Sequence, residues 1–179
     1  MNLSRYVFEA LRKDEEFILY RGQSKDDASQ VLVLSLAAQR PTPESLKQLE
    51  HEYSLKEELD PTWATQPIAI ARHWDRTVLV SADPGGVPLD QLLGQPVDVA
   101  FSLRLAISLS SAIGHLHQRG IIHKDIKPAH VLVNSDTGQC WLRGFGIASR
   151  LPRERQAPDP PESIAGAIST PSVSRFTKC

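Results

Sequence analysis

A short polar loop, His123-Lys124-Asp125-Ile126-Lys127-Pro128-Ala129-His130, sits between a long apolar helical run and the all-apolar strand Val131-Leu132-Val133. The run from Phe101 to Gln118 is apolar on more than one side, so it needs packed neighbours around it. The loop also gathers two histidines, an aspartate and two lysines, and so is the first place to look for chemistry.

Upstream, the pattern is mostly strands. Tyr6 to Leu11 and Glu16 to Tyr20 read as two strands joined by the charged turn Arg12-Lys13-Asp14-Glu15, which predicts a hairpin. Val31 to Leu36 is nearly continuous in apolar residues and predicts a buried third strand. Thr42 can cap a helix whose first turn accepts Pro43. Leu46, Leu49 and Tyr53 then share one stripe, and Asp60-Pro61 closes the helix. Ile68 to Ile70 and Thr77 to Val80 predict another antiparallel pair across His73-Trp74-Asp75-Arg76. Asp83-Pro84-Gly85-Gly86-Val87-Pro88 is the strongest breaker in the chain and predicts a boundary between lobes.

Past that boundary a short helix spans Leu89 to Leu93. In the long helix, Phe101, Leu105, Leu109, Ile113 and Leu116 line one face, and Leu103, Ala106 and Ile107 another. Val131 to Val133 and Cys140 to Leu142 predict a hairpin. From Leu151 onward Pro, Ser, Arg and Thr dominate, a composition that predicts little order.

Bulk properties mainly exclude. A net charge of −1 gives no footprint for nucleic acid or an anionic membrane. Apolar runs of a few residues predict no membrane insertion, and the N-terminus has no secretory pattern. Cys140 and Cys179 make no disulfide framework; a cytoplasmic location is expected. His115, His117, His123 and His130 lack zinc-like spacing, so no metal site is expected. Trp63, Trp74 and Trp141 are expected to be packing residues.

The loop resembles the catalytic loop of protein kinases, H-R-D-x-K-P-x-N, up to its last position, where His130 replaces Asn. Gly144-Phe145-Gly146, nineteen residues after Asp125, is similar to the kinase Asp-Phe-Gly. The resemblance runs from about Tyr6 to about Gly166. Leu49 to Tyr53, Val80 to Gly86, Gly120 to Val133 and Phe145 to Pro161 are similar to the kinase-like domain that opens large bacterial multidomain sensor histidine kinases. In that group Gly144 looks like a family trait and His130 like this chain's own departure.

The fold this implies is α+β. Residues 1–83 would form a five-stranded antiparallel N-lobe with one helix. Residues 84–150 would form the hinge and a partial, mainly helical C-lobe, and residues 151–179 a partial activation segment and a disordered tail. The implied ancestral activity is ATP-dependent phosphorylation of protein Ser/Thr in signal transduction. Partners would be proteins or neighbouring signalling domains.

Phosphoryl transfer needs cradled phosphates, a metal and a group that orients the acceptor hydroxyl. The resemblance places Asp125 on the acceptor proton and Lys127 on the transferring phosphate, as the catalytic candidates. The rest is degraded. Arg12, Asp14 and Phe17 stand where a phosphate loop has glycines, and none has glycine's conformational freedom. Leu34 stands where the third strand carries its Lys, since Lys25 falls in the preceding turn. Glu52 matches the helix Glu that would pair with that Lys; with no Lys, an exposed helix carboxylate is expected. Gly144 has no side chain to offer Mg²⁺, and the imidazole of His130 suits it poorly. ATP has a remaining place at the hinge, Val80, Ser81, Ala82 and Asp83, through backbone groups without metal. The expected function is therefore a catalytically impaired pseudokinase module or fragment, with an active Ser/Thr kinase and an inert truncated remnant as alternatives.

No Ala-Pro-Glu follows Ile164-Ala165-Gly166. The stretch Ala167 to Cys179 is similar to nothing in the family, which leads to the expectation of a truncated reading frame. Exposing four large apolar side chains of the long helix would forfeit on the order of 6–12 kcal/mol of burial. A marginal, aggregation-prone second lobe is expected, open to limited proteolysis between residues 90 and 150.

Overall fold

The structure, a computed structural model, describes residues 2–38, 40–94 and 96–151. The tail expected to be disordered lies outside the described residues. Strands β1 (Tyr6–Lys13), β2 (Phe17–Ser24), β3 (Gln30–Leu36), β4 (Pro67–His73) and β5 (Arg76–Ala82) form one antiparallel sheet in the order β1-β2-β3-β5-β4. The five strands and their pairing agree with the sequence pattern. The first turn is tighter than Arg12 to Glu15 predicts. The Asp14 carboxylate accepts from the backbone N–H of Glu16 (3.1 Å) and Phe17 (2.7 Å), so β1 runs on to Lys13 and β2 starts at Phe17.

Central position explains the composition of β3. Val31, Leu32, Val33 and Leu36 are all buried, because the sheet is covered on both faces. On one face lies α1 (Pro43–Ser54), capped by the Thr42 hydroxyl, which accepts from the Ser45 N–H at 3.2 Å. Its Leu49 packs on Leu36 and Leu79. On the other face Phe8 and Tyr20 roof Val31, Val33, Val78 and Val80. Trp74 and Asp75 turn from β4 into β5 with φ of 48° and 57°. For non-glycine residues that conformation costs about 1–2 kcal/mol each. Trp74 offsets part of it by resting on Phe8 and Tyr20, each 4.9 Å between ring centroids.

The chain crosses to the second lobe through Gly86 (φ 76°), where a Cβ would lie 2.5 Å from the Val133 carbonyl oxygen. Only glycine fits there. The second lobe contains β6 (Val87–Pro88), α2 (Val99–Gln118), β7 (Ile121–Ile122), β8 (Val131–Val133), β9 (Cys140–Leu142) and β10 (Ser149–Arg150). Leu89 to Leu92 form a 3-10 turn in place of the expected short α-helix. The core joins Leu116, Ile121, Val131, Leu142 and Phe145 to Leu59 and Trp63. Phe101, Leu105, Leu109 and Ile113 of α2 pack against it. Among the described residues the other predicted apolar face of α2 lacks the packed neighbours expected of it, with Leu103 59% and Ile107 69% exposed.

Two polar ties hold the lobes together. Arg21 of β2 clamps the Asp83 carboxylate through Nε (2.5 Å) and Nη2 (3.1 Å), and Nη2 also donates to the Gly86 carbonyl. Arg12 of β1 donates from Nε to Asp90 at 2.7 Å, beside a bond from Gln91 Nε2 to the Leu11 carbonyl.

Candidate functional site

Between the lobes lies a cleft of about 500 Å³. The β1–β2 hairpin, α1, the loop after β7 and the residues after β9 all line it. Asp125, Lys127, His130 and Gly144 meet there, as the sequence motifs require. The hairpin supplies Arg12, Asp14, Glu15 and Glu16, so its wall is charged and side-chain rich where a phosphate cradle needs bare backbone.

The loop is well braced. His123 is buried, and its Nε2–H donates to the Arg143 carbonyl at 2.9 Å. Its free Nδ1 accepts from the Asp125 N–H at 3.3 Å. The Asp125 carboxylate holds the Lys127 ammonium at 2.8 Å, not the backbone N–H groups that a purely bracing role suggests. His130 Nδ1–H donates to the Asp125 carbonyl at 2.8 Å and lies 3.3 Å from its Oδ2. Burial of Asp125 opposes its ionisation, but the Lys127 ammonium and the His130 ring prevail and hold the carboxyl below its usual range.

Burial pushes the His130 imidazole down to about 4, assisted by the Arg143 and Lys127 charges. Burial also lowers His123. An unfolded histidine takes up its proton near pH 6.5. Between that value and about 4 the unfolded chain therefore binds more protons, and stability falls as the pH drops. Relative to pH 7.5, about 2 kcal/mol from His130 is expected to be lost by pH 5. Melting temperatures across that range should show the slope, and His130→Asn should flatten it. An unchanged slope in that variant would place the titration elsewhere.

Glu52 corrects one expectation. It is 4% exposed rather than a solvated helix carboxylate. It faces Arg143, also buried, and accepts from the Gly144 N–H at 3.3 Å. Burial pushes the Glu52 carboxyl up, while the Arg143 charge and the Gly144 and Phe145 N–H groups pull it back. Arg143 in turn donates from Nη1 to the Ala129 carbonyl at 2.9 Å. The cation opposite the helix Glu thus comes from the far side of the cleft. Leu34, at the position expected for a Lys, is apolar and packs with Leu19 and Leu32. Lys25 instead reaches the Ser4 carbonyl at 3.5 Å. Sequence reasoning missed Arg143; the available signal was a lone charge between apolar Cys140-Trp141-Leu142 and Gly144.

The hinge residues Val80, Ser81 and Ala82 end β5, Asp83 follows it, and all four are engaged internally. Val80 and Ser81 pair with strands on both sides, the Ala82 N–H donates to the Gln66 carbonyl at 2.9 Å, and Asp83 is held by Arg21. Behind the cleft, against Leu32, Leu79 and Ser81, a cavity of about 10 Å³ remains, room for about one water. Leu19 and Leu32 of the first lobe pack directly with Leu132 and Trp141 of the second.

A Cβ on Gly144 (φ 77°) would lie 2.8 Å from His130 Cγ and Nδ1. The His130 ring therefore fills the space into which an aspartate side chain would grow. The donors nearest Gly144 are an imidazole neutral above about pH 4, the Lys127-bound Asp125 and the buried Glu52; Asp14, Glu15 and Glu16 also line the cleft, but no three acidic or imidazole groups cluster among the described residues. That set does not fit Mg²⁺, which asks for near-octahedral oxygen ligands.

The sequence profile of the protein kinase domain matches residues 19–168. The serine/threonine-protein kinase mos of Patiria pectinifera is 30% identical over 81 residues, 44% of this chain and 23% of that protein. The serine/threonine-protein kinase US3 of human herpesvirus 1 is 38% identical over 78 residues, 44% of this chain and 15% of that protein. The serine/threonine-protein kinase/endoribonuclease IRE1b of Arabidopsis thaliana is 37% identical over 73 residues, 40% and 8%. These matches span less than a quarter of the length of each relative.

Proposed function

The chain belongs to the protein kinase domain family, and from that premise we propose that it is a catalytically impaired, pseudokinase-type module of signal transduction. The observation that carries this reading is the exchange at the heart of the cleft. Leu34 stands in the Lys position, and the buried Glu52 faces Arg143 instead. A triphosphate entering there would meet Asp14, Glu15, Glu16 and Glu52, only partly offset by Arg12, Lys127 and Arg143, with no fitted metal to screen them. Losing metal neutralisation removes several kcal/mol of transition-state stabilisation. The cluster Leu19, Leu32, Leu132 and Trp141, packed between the lobes, supports the further proposal that ATP does not seat at the hinge.

In this reading the module acts by binding a protein or a neighbouring signalling domain in the cytoplasm, as the resemblance to bacterial sensor kinases suggests. The rival, an active Ser/Thr kinase, is favoured by one feature. Asp125 and Lys127 keep a 2.8 Å bond at the cleft edge. Radiolabel transfer from ATP to a generic Ser/Thr substrate separates the two. No transfer above background is expected from the chain or from Asp125→Ala. Transfer lost on Asp125→Ala would overturn the proposal.

A further inference from the structure

The cavity of about 10 Å³ behind the cleft is not purely apolar. Glu52, Thr65, Ser81 and Arg143 line it and are 4%, 2%, 6% and 6% exposed. They come from α1, the segment before β4, β5 and the segment after β9. Their hydrogen bonding within the protein is incomplete. The Thr65 and Ser81 hydroxyls bond to no described residue, although both residues are buried. Arg143 donates from Nη1 to the Ala129 carbonyl, and Glu52 accepts from the Gly144 and Phe145 N–H groups. No direct ion pair joins Glu52 to Arg143, whose attraction acts through space. Buried polar groups need partners, so four of them around one cavity call for a ligand.

We infer that this cavity is a binding site for a single water molecule that bridges the Glu52 carboxylate to the Arg143 guanidinium, with the Ser81 and Thr65 hydroxyls as its other partners. Size and charge together fix the class of ligand. A volume of about 10 Å³ admits about one water and nothing larger. The guanidinium repels a cation and the carboxylate repels an anion, so the occupant is neutral. It must also accept from Arg143, which has only donors, and donate to the Glu52 carboxylate, which has only acceptors. Water does both, and buried waters make about two to four hydrogen bonds.

The cavity shares Leu19, Leu34, Glu52 and Arg143 with the cleft, and that side gives the water its way in. Once bound, it joins α1 and β5 of the first lobe to the segment after β9 of the second. Leu34 brings no cation to Glu52, and the water carries the carboxylate's link to Arg143 instead. This joint rests on the back wall of the cleft alone, so it holds whether or not the cleft transfers phosphate.

The test is a crystal structure of the full chain at a resolution that shows ordered water. The expected result is a density peak within about 3.2 Å of both a Glu52 carboxylate oxygen and an Arg143 nitrogen. Direct contact between Glu52 and Arg143, or no peak between them, would overturn the inference. In solution, oxygen-17 relaxation dispersion counts long-lived waters. Ser81→Val puts methyl groups into the cavity, so its count is expected to be one lower than the parent's. An equal count in the folded variant would overturn the inference as well. Should Ser81→Val fail to fold, the crystal structure of the parent decides by itself.

Discussion

Replacing Glu52 by alanine is expected to destabilise the folded chain by about 1–3 kcal/mol, the range for leaving a buried polar group without its partner. The cause is what remains. Arg143 is 6% exposed and keeps its charge, with the Ala129 carbonyl as a hydrogen-bond partner. Without the Glu52 carboxylate a guanidinium is stranded between the lobes, and the Gly144 N–H loses its acceptor. Glu52→Gln keeps an acceptor and removes the charge, so its cost should be smaller. Replacing both residues by apolar ones, Glu52→Leu with Arg143→Met, should recover much of the loss, because the desolvation of both charges is then avoided. Urea denaturation of the four proteins measures the series. A Glu52→Ala variant within about 0.5 kcal/mol of the parent, the range of an ordinary surface substitution, would mean that the pair does not hold the cleft.

Restoring the missing carboxylate by Gly144→Asp is expected to cost about 2–5 kcal/mol and to produce no Mg²⁺ response. Two terms add. A non-glycine residue at φ 77° is strained by about 1–2 kcal/mol, and the new Cβ would press on the His130 ring at 2.8 Å. Overpacking of that kind costs about 1–3 kcal/mol. The second term belongs to the pair, so Gly144→Asp with His130→Asn should be more stable than the sum of the single changes by about 1–2 kcal/mol, the usual size of coupling between touching residues. Thermal or urea unfolding of the double-mutant cycle reads this directly. Strict additivity would mean that His130 and Gly144 are not matched to one another.

Much of the scaffold was legible because it rests on local signals. The five strands follow from apolar runs bounded by turn residues, and Thr42 with Pro43 marks the start of α1. Of the two predicted faces of α2, the described residues pack one and leave the other exposed. The departures are non-local. Glu52 reads as a surface residue on its helix, and only the meeting of α1 with the segment after β9 buries it beside Arg143. The ties from Arg12 to Asp90 and from Arg21 to Asp83 link residues 78 and 62 positions apart, and no spacing rule connects them. Asp125, Lys127, His130 and Gly144 were found from motif spacing and do converge on one cleft. That His130 and Gly144 occupy each other's space emerges only in three dimensions.

The most direct test of the central proposal, a kinase fold whose cleft holds no metal-nucleotide, is a thermal unfolding scan of the purified full chain. The scan is run alone and with millimolar ATP, in Mg²⁺ and in EDTA. The expected result is one cooperative transition whose midpoint is the same in all conditions. A Mg²⁺-dependent rise would contradict it, since ligand at a hundredfold excess over Kd adds about 2.7 kcal/mol and that shift requires a working nucleotide site.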